Sequence, residues 1–172
     1  MIKVTLPDGS IKEFATNSTP MDVAKSISEG LARNVISANF NEKTVETSTP
    51  LTSDGTLILY TFDDVNGKKA FWHSSAHLLA EAVEMQFPGA KFWVGPALEK
   101  GFYYDIDLGD KTIREEDVVL LEKKMNELAK QANAYIRKEM SKAEAIAYFT
   151  EKNDEYKLDL LSGLEDGKIT FY

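Results

Sequence analysis

The period of the apolar pattern changes once along this chain, near residues 63–69, and that change restricts the fold to one with strands first and helices after. Before it, apolar residues alternate in short runs broken by turn chemistry. Ile2-Lys3-Val4-Thr5-Leu6 and Ile11-Lys12-Glu13-Phe14 flank Pro7-Asp8-Gly9-Ser10, which predicts a hairpin. Thr19 suits a helix N-cap, Pro20 the first helical position and Asp22 the positive end of the helix dipole. Val23, Ala24 and Ile27 supply the apolar face of that helix and Gly30 its stop. Asn34–Phe40 and Thr56–Tyr60 read as two more strands, the second launched by Asp54-Gly55. The expected order is β-β-α-β-β.

Asp63 to Lys69 is polar and turn-rich, so the expected domains are residues 1–62 and 63–172. Beyond it, a helix from about Lys69 to Phe87 ends at Pro88-Gly89, with Phe71, Leu78, Leu79, Ala82 and Val83 as its apolar stripe. Phe92–Val94 and Phe102–Asp107 predict a hairpin joined through Glu99-Lys100-Gly101. Thr112 with Glu115 has capping-box spacing and opens a helix through Leu120, Leu121, Met125 and Leu128. A short strand is expected near 134–138, a helix from the Ser141/Glu144 capping box to about Thr150, and a strand at 169–172. The fold class is therefore α+β.

Composition narrows the chemistry. The net charge is −8, so a polyanion meets long-range repulsion, and strong autonomous nucleic-acid binding is not expected. Lys123-Lys124 and Arg137-Lys138 sit beside Glu122, Glu127 and Glu139, a mixture that reads as an ordinary solvated face. There is no cysteine, hence no disulfide and no thiolate metal site. No apolar run approaches the roughly 18 residues of a membrane span, and the first residues lack the pattern of a signal peptide. The chain is expected in the cytoplasm, away from membranes. No Walker A, Gly-x-Gly-x-x-Gly or Gly-x-Ser-x-Gly motif occurs.

His73 and His77 are the only histidines and lie four residues apart, which on a helix stacks both imidazoles on one face. They fall on the side opposite the apolar stripe, with Ala80 and Glu84, and so face a cleft or solvent. Ser74 occupies the position of the general-base Glu in a His-Glu-x-x-His zinc site, and two imidazoles alone make an incomplete zinc site. Any metal would need a further ligand from an Asp, a Glu or a missing segment. In Gly101-Phe102-Tyr103-Tyr104-Asp105-Ile106-Asp107, alternation places Phe102, Tyr104 and Ile106 on one face and Tyr103, Asp105 and Asp107 on the other. On pattern alone that is a half-buried strand, and Lys157 is a surface lysine.

Taken together, Val4-Thr5-Leu6-Pro7-Asp8-Gly9-Ser10, His73-Ser74-Ser75-Ala76-His77-Leu78-Leu79-Ala80, Gly95-Pro96 and Gly101-Phe102-Tyr103-Tyr104-Asp105 closely resemble, in order and spacing, the amino-terminal region of bacterial threonyl-tRNA synthetases. The resemblance implies a TGS domain over about 62 residues, a ubiquitin-like β-grasp fold. It implies that the rest is most of an α+β editing domain with a long helix and an antiparallel sheet. The parent enzymes are class II ligases that join threonine to its tRNA with ATP, and this region hydrolyses serine wrongly attached to that tRNA. Serine lacks one methyl, and a hydrophobic pocket distinguishes one methyl by only about 1–3 kcal/mol, so a second sieve is needed.

By the same resemblance, His73 and His77 match the editing-site histidines, Tyr104 a tyrosine lining the pocket, and Lys157 a lysine near the reacting ester. His73 is expected to position or activate water and the terminal ribose hydroxyl, with Lys157 steadying charge on the ester oxygen. The resemblance implies no cofactor and no tight metal site for this region, with ATP, Mg2+ and Zn2+ belonging to the aminoacylation domain. The implied partners are the acceptor end of tRNA(Thr) and the rest of the synthetase, itself a homodimer. The family completes its pocket with a Cys-x-x-x-His element beyond the position of Tyr172. The pocket within these residues is therefore expected to be incomplete, and the region by itself is not expected to charge tRNA. Two competing expectations are a non-catalytic RNA- or protein-interaction module and a metal-dependent hydrolase, the latter disfavoured by the missing third ligand.

Overall fold

A computed structural model describes residues 1–172, which form two compact units. The first comprises Met1–Ser74 with Ala97–Gly101, the second Ser75–Pro96 with Phe102–Tyr172.

In the first unit, β1 (Ile2–Thr5) pairs antiparallel with β2 (Ile11–Phe14), Ile2 opposite Phe14 and Thr5 opposite Ile11. The helix α1 (Pro20–Ile27) starts as expected: Thr19 accepts from the Asp22 amide at 3.2 Å while Asp22 accepts from the Thr19 amide at 2.9 Å. Its end differs. Ser28 ends α1 and, accepting from the Leu31 amide at 3.0 Å, caps a further helix, α2 (Glu29–Asn34), so Gly30 lies inside a helix and stops none. A serine able to start a new helix overrode the glycine signal.

Three strands follow: β3 (Val35–Phe40), β4 (Lys43–Val45), which the sequence pattern did not reveal, and β5 (Gly55–Thr61). The sheet order is β2-β1-β5-β3-β4, with β1 and β5 parallel and the other neighbours antiparallel. This is the expected β-grasp arrangement. Its core is Ile2 and Val4 from one face of β1 and Leu6 just beyond it, joined by Val23, Ala38, Leu51 and Leu57. Each such aliphatic side chain contributes about 1.5–3 kcal/mol by leaving water. Leu51 comes from a loop that is held by backbone bonds to Asn17 (2.8 Å) and Ser18 (2.9 Å).

The long helix α3 (Val65–Gln86) begins four residues before the expected start, in the passage that read as a turn. Asp64 explains the start. Its carboxylate accepts from the Thr61 amide at 2.7 Å, and its carbonyl accepts the first helical bond from Lys68 at 2.9 Å. Gly67, which read as a turn residue, is needed within the helix because a Cβ there would lie 1.8 Å from the Thr61 carbonyl oxygen. Phe71 does not join the buried stripe; it is 41% exposed and meets Phe62 edge to face at 5.2 Å.

In the second unit, the later turns of α3 bury Ala82, Val83 and, just beyond the helix, Phe87 against Leu121 and Leu128 of α4 (Glu115–Gln131). The N-cap of α4 is Arg114, not Thr112: Asp117 accepts from the Arg114 amide at 2.9 Å, and Leu120 is 53% exposed. The expected hairpin forms, β6 (Lys91–Phe92) pairing with β9 (Ile106–Asp107) and two further backbone bonds joining Trp93 and Val94 to Asp105. Between them in sequence, β7 (Ala97–Leu98) and β8 (Gly101–Phe102) make a smaller ladder, of which residues 97–101 belong to the first unit. The strand expected at 134–138 lies instead at β10 (Lys138–Ser141) and pairs antiparallel with β11 (Lys168–Phe171). Ser141 and Glu144 form the expected capping box of α5 (Lys142–Glu151), and α6 (Glu155–Ser162) carries Tyr156 and Lys157.

Gly67→Ala is a sharp test of the α3 start. Helix propensity favours alanine by about 1 kcal/mol. The clash with a backbone carbonyl is expected to outweigh that, giving a net loss of about 1–3 kcal/mol in denaturant unfolding. A stabilised variant would show that α3 does not approach Thr61.

Candidate functional site

Lys157 sits in the first turn of α6, where Asp154 caps the helix by accepting from the Lys157 amide at 3.1 Å. The side chain is half-buried and its ammonium donates to the Trp93 carbonyl at 3.0 Å. Burial pushes the Lys157 ammonium below the ordinary lysine range, against an opposing pull from Asp154. Its two sequence neighbours grip the same hairpin. Tyr156 donates its hydroxyl to Asp107 at 2.8 Å, and Glu155 pairs with Lys91 at 2.9 Å. The Gly109 amide and then the Tyr156 hydroxyl hold the Asp107 carboxyl below its usual range. Three consecutive residues thus dock α6 on β6 and β9.

Tyr104 lies on that hairpin beside Asp105, whose backbone is bonded to Trp93 and Val94. Its ring meets Phe92 edge to face at 5.5 Å, and burial raises its phenol above the ordinary value. Gly95 provides the floor: a Cβ there would stand 2.7 Å from two ring carbons of Tyr104. The expected alternation holds from Phe102 to Ile106, with Phe102, Tyr104 and Ile106 half-buried and Tyr103 and Asp105 exposed, and fails at Asp107, which is half-buried where Tyr156 donates to it. The structure therefore brings Tyr104 and Lys157 to one hairpin.

The histidines stand on α3, one turn apart. His73 is exposed and falls in the first unit. His77 is half-buried in the second, where its ring meets Tyr135 at 6.0 Å and Tyr172 at 5.8 Å. Burial and then the charge of Glu81 raise the Tyr135 phenol. Neither tyrosine stood out in the sequence, because each lies far from His77 along the chain and outside any motif. Asp154 had a legible signal, a capping residue three before Lys157, whereas the Trp93 carbonyl had none. A cavity of about 280 Å³ beside the same hairpin, lined by residues 87–91, 107–109 and 111, contains none of the four predicted residues. No three His, Asp or Glu side chains gather in a way that could hold a metal ion. No helix is long and apolar enough to cross a membrane.

Residues 2–61 match the family model described as the TGS domain. Over all 172 residues the chain is 60% identical to a threonine--tRNA ligase of Cytophaga hutchinsonii, covering 27% of that protein. It is 56% identical over 171 residues to a threonine--tRNA ligase of Flavobacterium psychrophilum, 99% of this chain and 26% of that one. It is 45% identical over 172 residues, again all of this chain and 27% of the relative, to a threonine--tRNA ligase of Bacteroides thetaiotaomicron. The chain is a homologue of the amino-terminal region of threonine--tRNA ligases. It spans about a quarter of the length of these relatives. Its first unit contains the TGS domain, and its β-grasp sheet agrees with that assignment.

Two substitutions test this part of the threonine--tRNA ligase homologue. Gly95→Ala is expected to displace the Tyr104 ring and cost about 1–3 kcal/mol by overpacking; an unchanged phenol titration and an unchanged melt would contradict the contact. Lys157 binds fewer protons folded than unfolded between its depressed pKa and the ordinary 10.5. Stability from this group therefore rises with pH across that window, and below it the buried charge is a cost. Lys157→Met is expected to remove that component of the pH slope; an identical slope would show that the ammonium is not desolvated.

Proposed function

We propose that the chain serves a threonine--tRNA ligase by removing serine wrongly joined to threonine tRNA. The match of the whole chain to about a quarter of the threonine--tRNA ligases carries this reading, together with the His-x-x-x-His spacing at 73 and 77. The whole enzyme would join threonine to its tRNA with ATP in the cytoplasm, with the acceptor end of the tRNA and the rest of the synthetase as partners. Its ATP, Mg2+ and Zn2+ would be held by the aminoacylation domain, and the enzyme would act as a homodimer.

Chemically, hydrolysis of an aminoacyl ester needs a positioned water, a group to take or relay its proton, and stabilisation of the oxyanion. His73, exposed on α3, is given the water and the terminal ribose hydroxyl. His77 orients the ester from the next turn of the helix. Lys157, partly desolvated and fixed by the Trp93 carbonyl, offers a cation whose interactions are stronger than in water. Tyr104, set rigidly on Gly95, is a wall suited to admitting serine while excluding one more methyl.

Serine release from seryl-tRNA(Thr), measured with this chain and with one extended through the family's Cys-x-x-x-His element, is the direct test. His73→Ala is expected to abolish release in whichever form is active. Because the side chain is exposed, stability should stay within about 0.5 kcal/mol of the parent. Undiminished release in His73→Ala would remove its catalytic role, and no release from either unaltered form would favour a non-catalytic interaction module.

A further inference from the structure

Lys157 finds its acceptor because the β6–β9 hairpin is irregular beside it. Asp105 accepts from the Trp93 amide at 3.0 Å, yet its own amide donates to the Val94 carbonyl at 2.9 Å. Two residues thus stand opposite one, a β-bulge, and the Trp93 carbonyl takes no bond from Asp105. It accepts from the Lys157 ammonium instead, at 3.0 Å. The bulge lies next to Tyr104, the neighbour of Asp105 in the chain.

A lysine does not by itself fix where its helix stands. Its four-carbon stem is flexible, so the ammonium could follow the carbonyl over a range of positions of α6. The preceding residue removes that freedom. The Tyr156 side chain is a rigid ring whose hydroxyl donates to Asp107 Oδ2 at 2.8 Å, and Asp107 Oδ1 accepts from the Gly109 amide at 2.8 Å. A hydrogen bond to a carboxylate is short and strong, and both groups titrate accordingly. The Gly109 amide and then the Tyr156 hydroxyl hold the Asp107 carboxyl down, while the bond to Asp107, before any other cause, holds the Tyr156 phenol up. The third contact, Lys91 with Glu155, is exposed and adds little. Of the three, only the bond between Tyr156 and Asp107 joins a rigid side chain of α6 to a strand residue that is itself held.

We propose that Asp107 and Tyr156 are positioning residues for Lys157: their bond sets the height and rotation of α6 at which the ammonium meets the Trp93 carbonyl. Both act through Lys157 and not on an ester. That this ammonium serves an ester rests on the function proposed above; the positioning itself rests on the bonds. Once the bond is lost, the first turn of α6 is free to lift and Lys157 returns toward water. Burial is what holds the Lys157 ammonium below the ordinary range, against Asp154, so its titration then rises toward 10.5. The sign separates geometry from charge. Removal of the Asp107 carboxylate, acting directly through its charge, could only lower the Lys157 pKa, whereas movement of the lysine raises it.

The first readout is the Lys157 titration in this chain, followed by NMR of isotope-labelled lysine side chains, with the Lys157 signal assigned by its loss in K157R. Y156F keeps the ring and loses only the hydroxyl, and is expected to raise the titration toward 10.5. D107N keeps one acceptor oxygen and should give a smaller rise. Y156F/D107N should give no more than Y156F, since the bond is already gone. L128V thins the core between α3 and α4 in the same unit and should lower stability while leaving the Lys157 titration alone. The second readout is serine release by whichever form is active. There Y156F is expected to lower kcat about 10- to 100-fold, the scale of a misplaced group, with KM unchanged. An unchanged or lowered titration in Y156F or D107N, additive shifts in the double variant, or the same shift in L128V would each overturn the proposal. Full kcat in a Y156F whose Lys157 has moved would overturn it too, because the place of the lysine would then be immaterial. If neither form releases serine, the editing reading fails and the titration alone decides the positioning. If His73→Ala abolishes release while Y156F leaves the titration unchanged, the positioning fails and the editing reading stands.

Discussion

An ammonium withdrawn from water must find an acceptor, and in this chain the Trp93 carbonyl supplies it to Lys157 at 3.0 Å. That contact fixes α6 on the β6–β9 hairpin, with Tyr156 on Asp107 and Glu155 on Lys91 beside it. Of these three contacts, the Lys91–Glu155 pair is exposed and weak in energy, so it guides geometry more than it stabilises. The Lys157 contact is the one that carries charge into a partly desolvated place, on the same hairpin that carries Tyr104 between β8 and β9.

The two glycines that matter do so for the same steric reason. Gly67 lets α3 begin against the Thr61 carbonyl, and Gly95 lets the Tyr104 ring lie flat on the backbone. Gly67 looks like a turn residue in the sequence and Gly95 like part of a motif, and each is a place where one element must come close to another. This explains why a passage that read as a turn became the first part of a helix, with Asp64 supplying the start.

The elements that were legible were those with local signals. Ser141/Glu144 is a reciprocal cap in the sequence and in the structure, and Thr19, read as an N-cap, forms one with Asp22, because both partners lie within one turn. The β1–β2 hairpin follows from alternation around one turn. Misplaced elements had competing local signals: Ser28 against Gly30, and Arg114 with Asp117 against Thr112 with Glu115. Lys43–Val45 is three residues long, too short to show a period, and becomes a strand because β3 lies beside it.

By itself, the sequence determined the α+β class, the His73/His77 spacing, the alternation around Tyr104 and the resemblance to a synthetase amino-terminal region, all properties of neighbouring residues or of motif order. Only the tertiary structure decided that β1 runs parallel to β5, that Lys157 is half-buried on Trp93, that Tyr135 and Tyr172 meet His77, and that Arg137 and Lys168 share Glu139. Apart from Arg137 and Glu139, which are two residues apart, each of these joins residues about 29 to 95 positions apart, where contact depends on how the chain closes on itself and leaves no periodic trace along it.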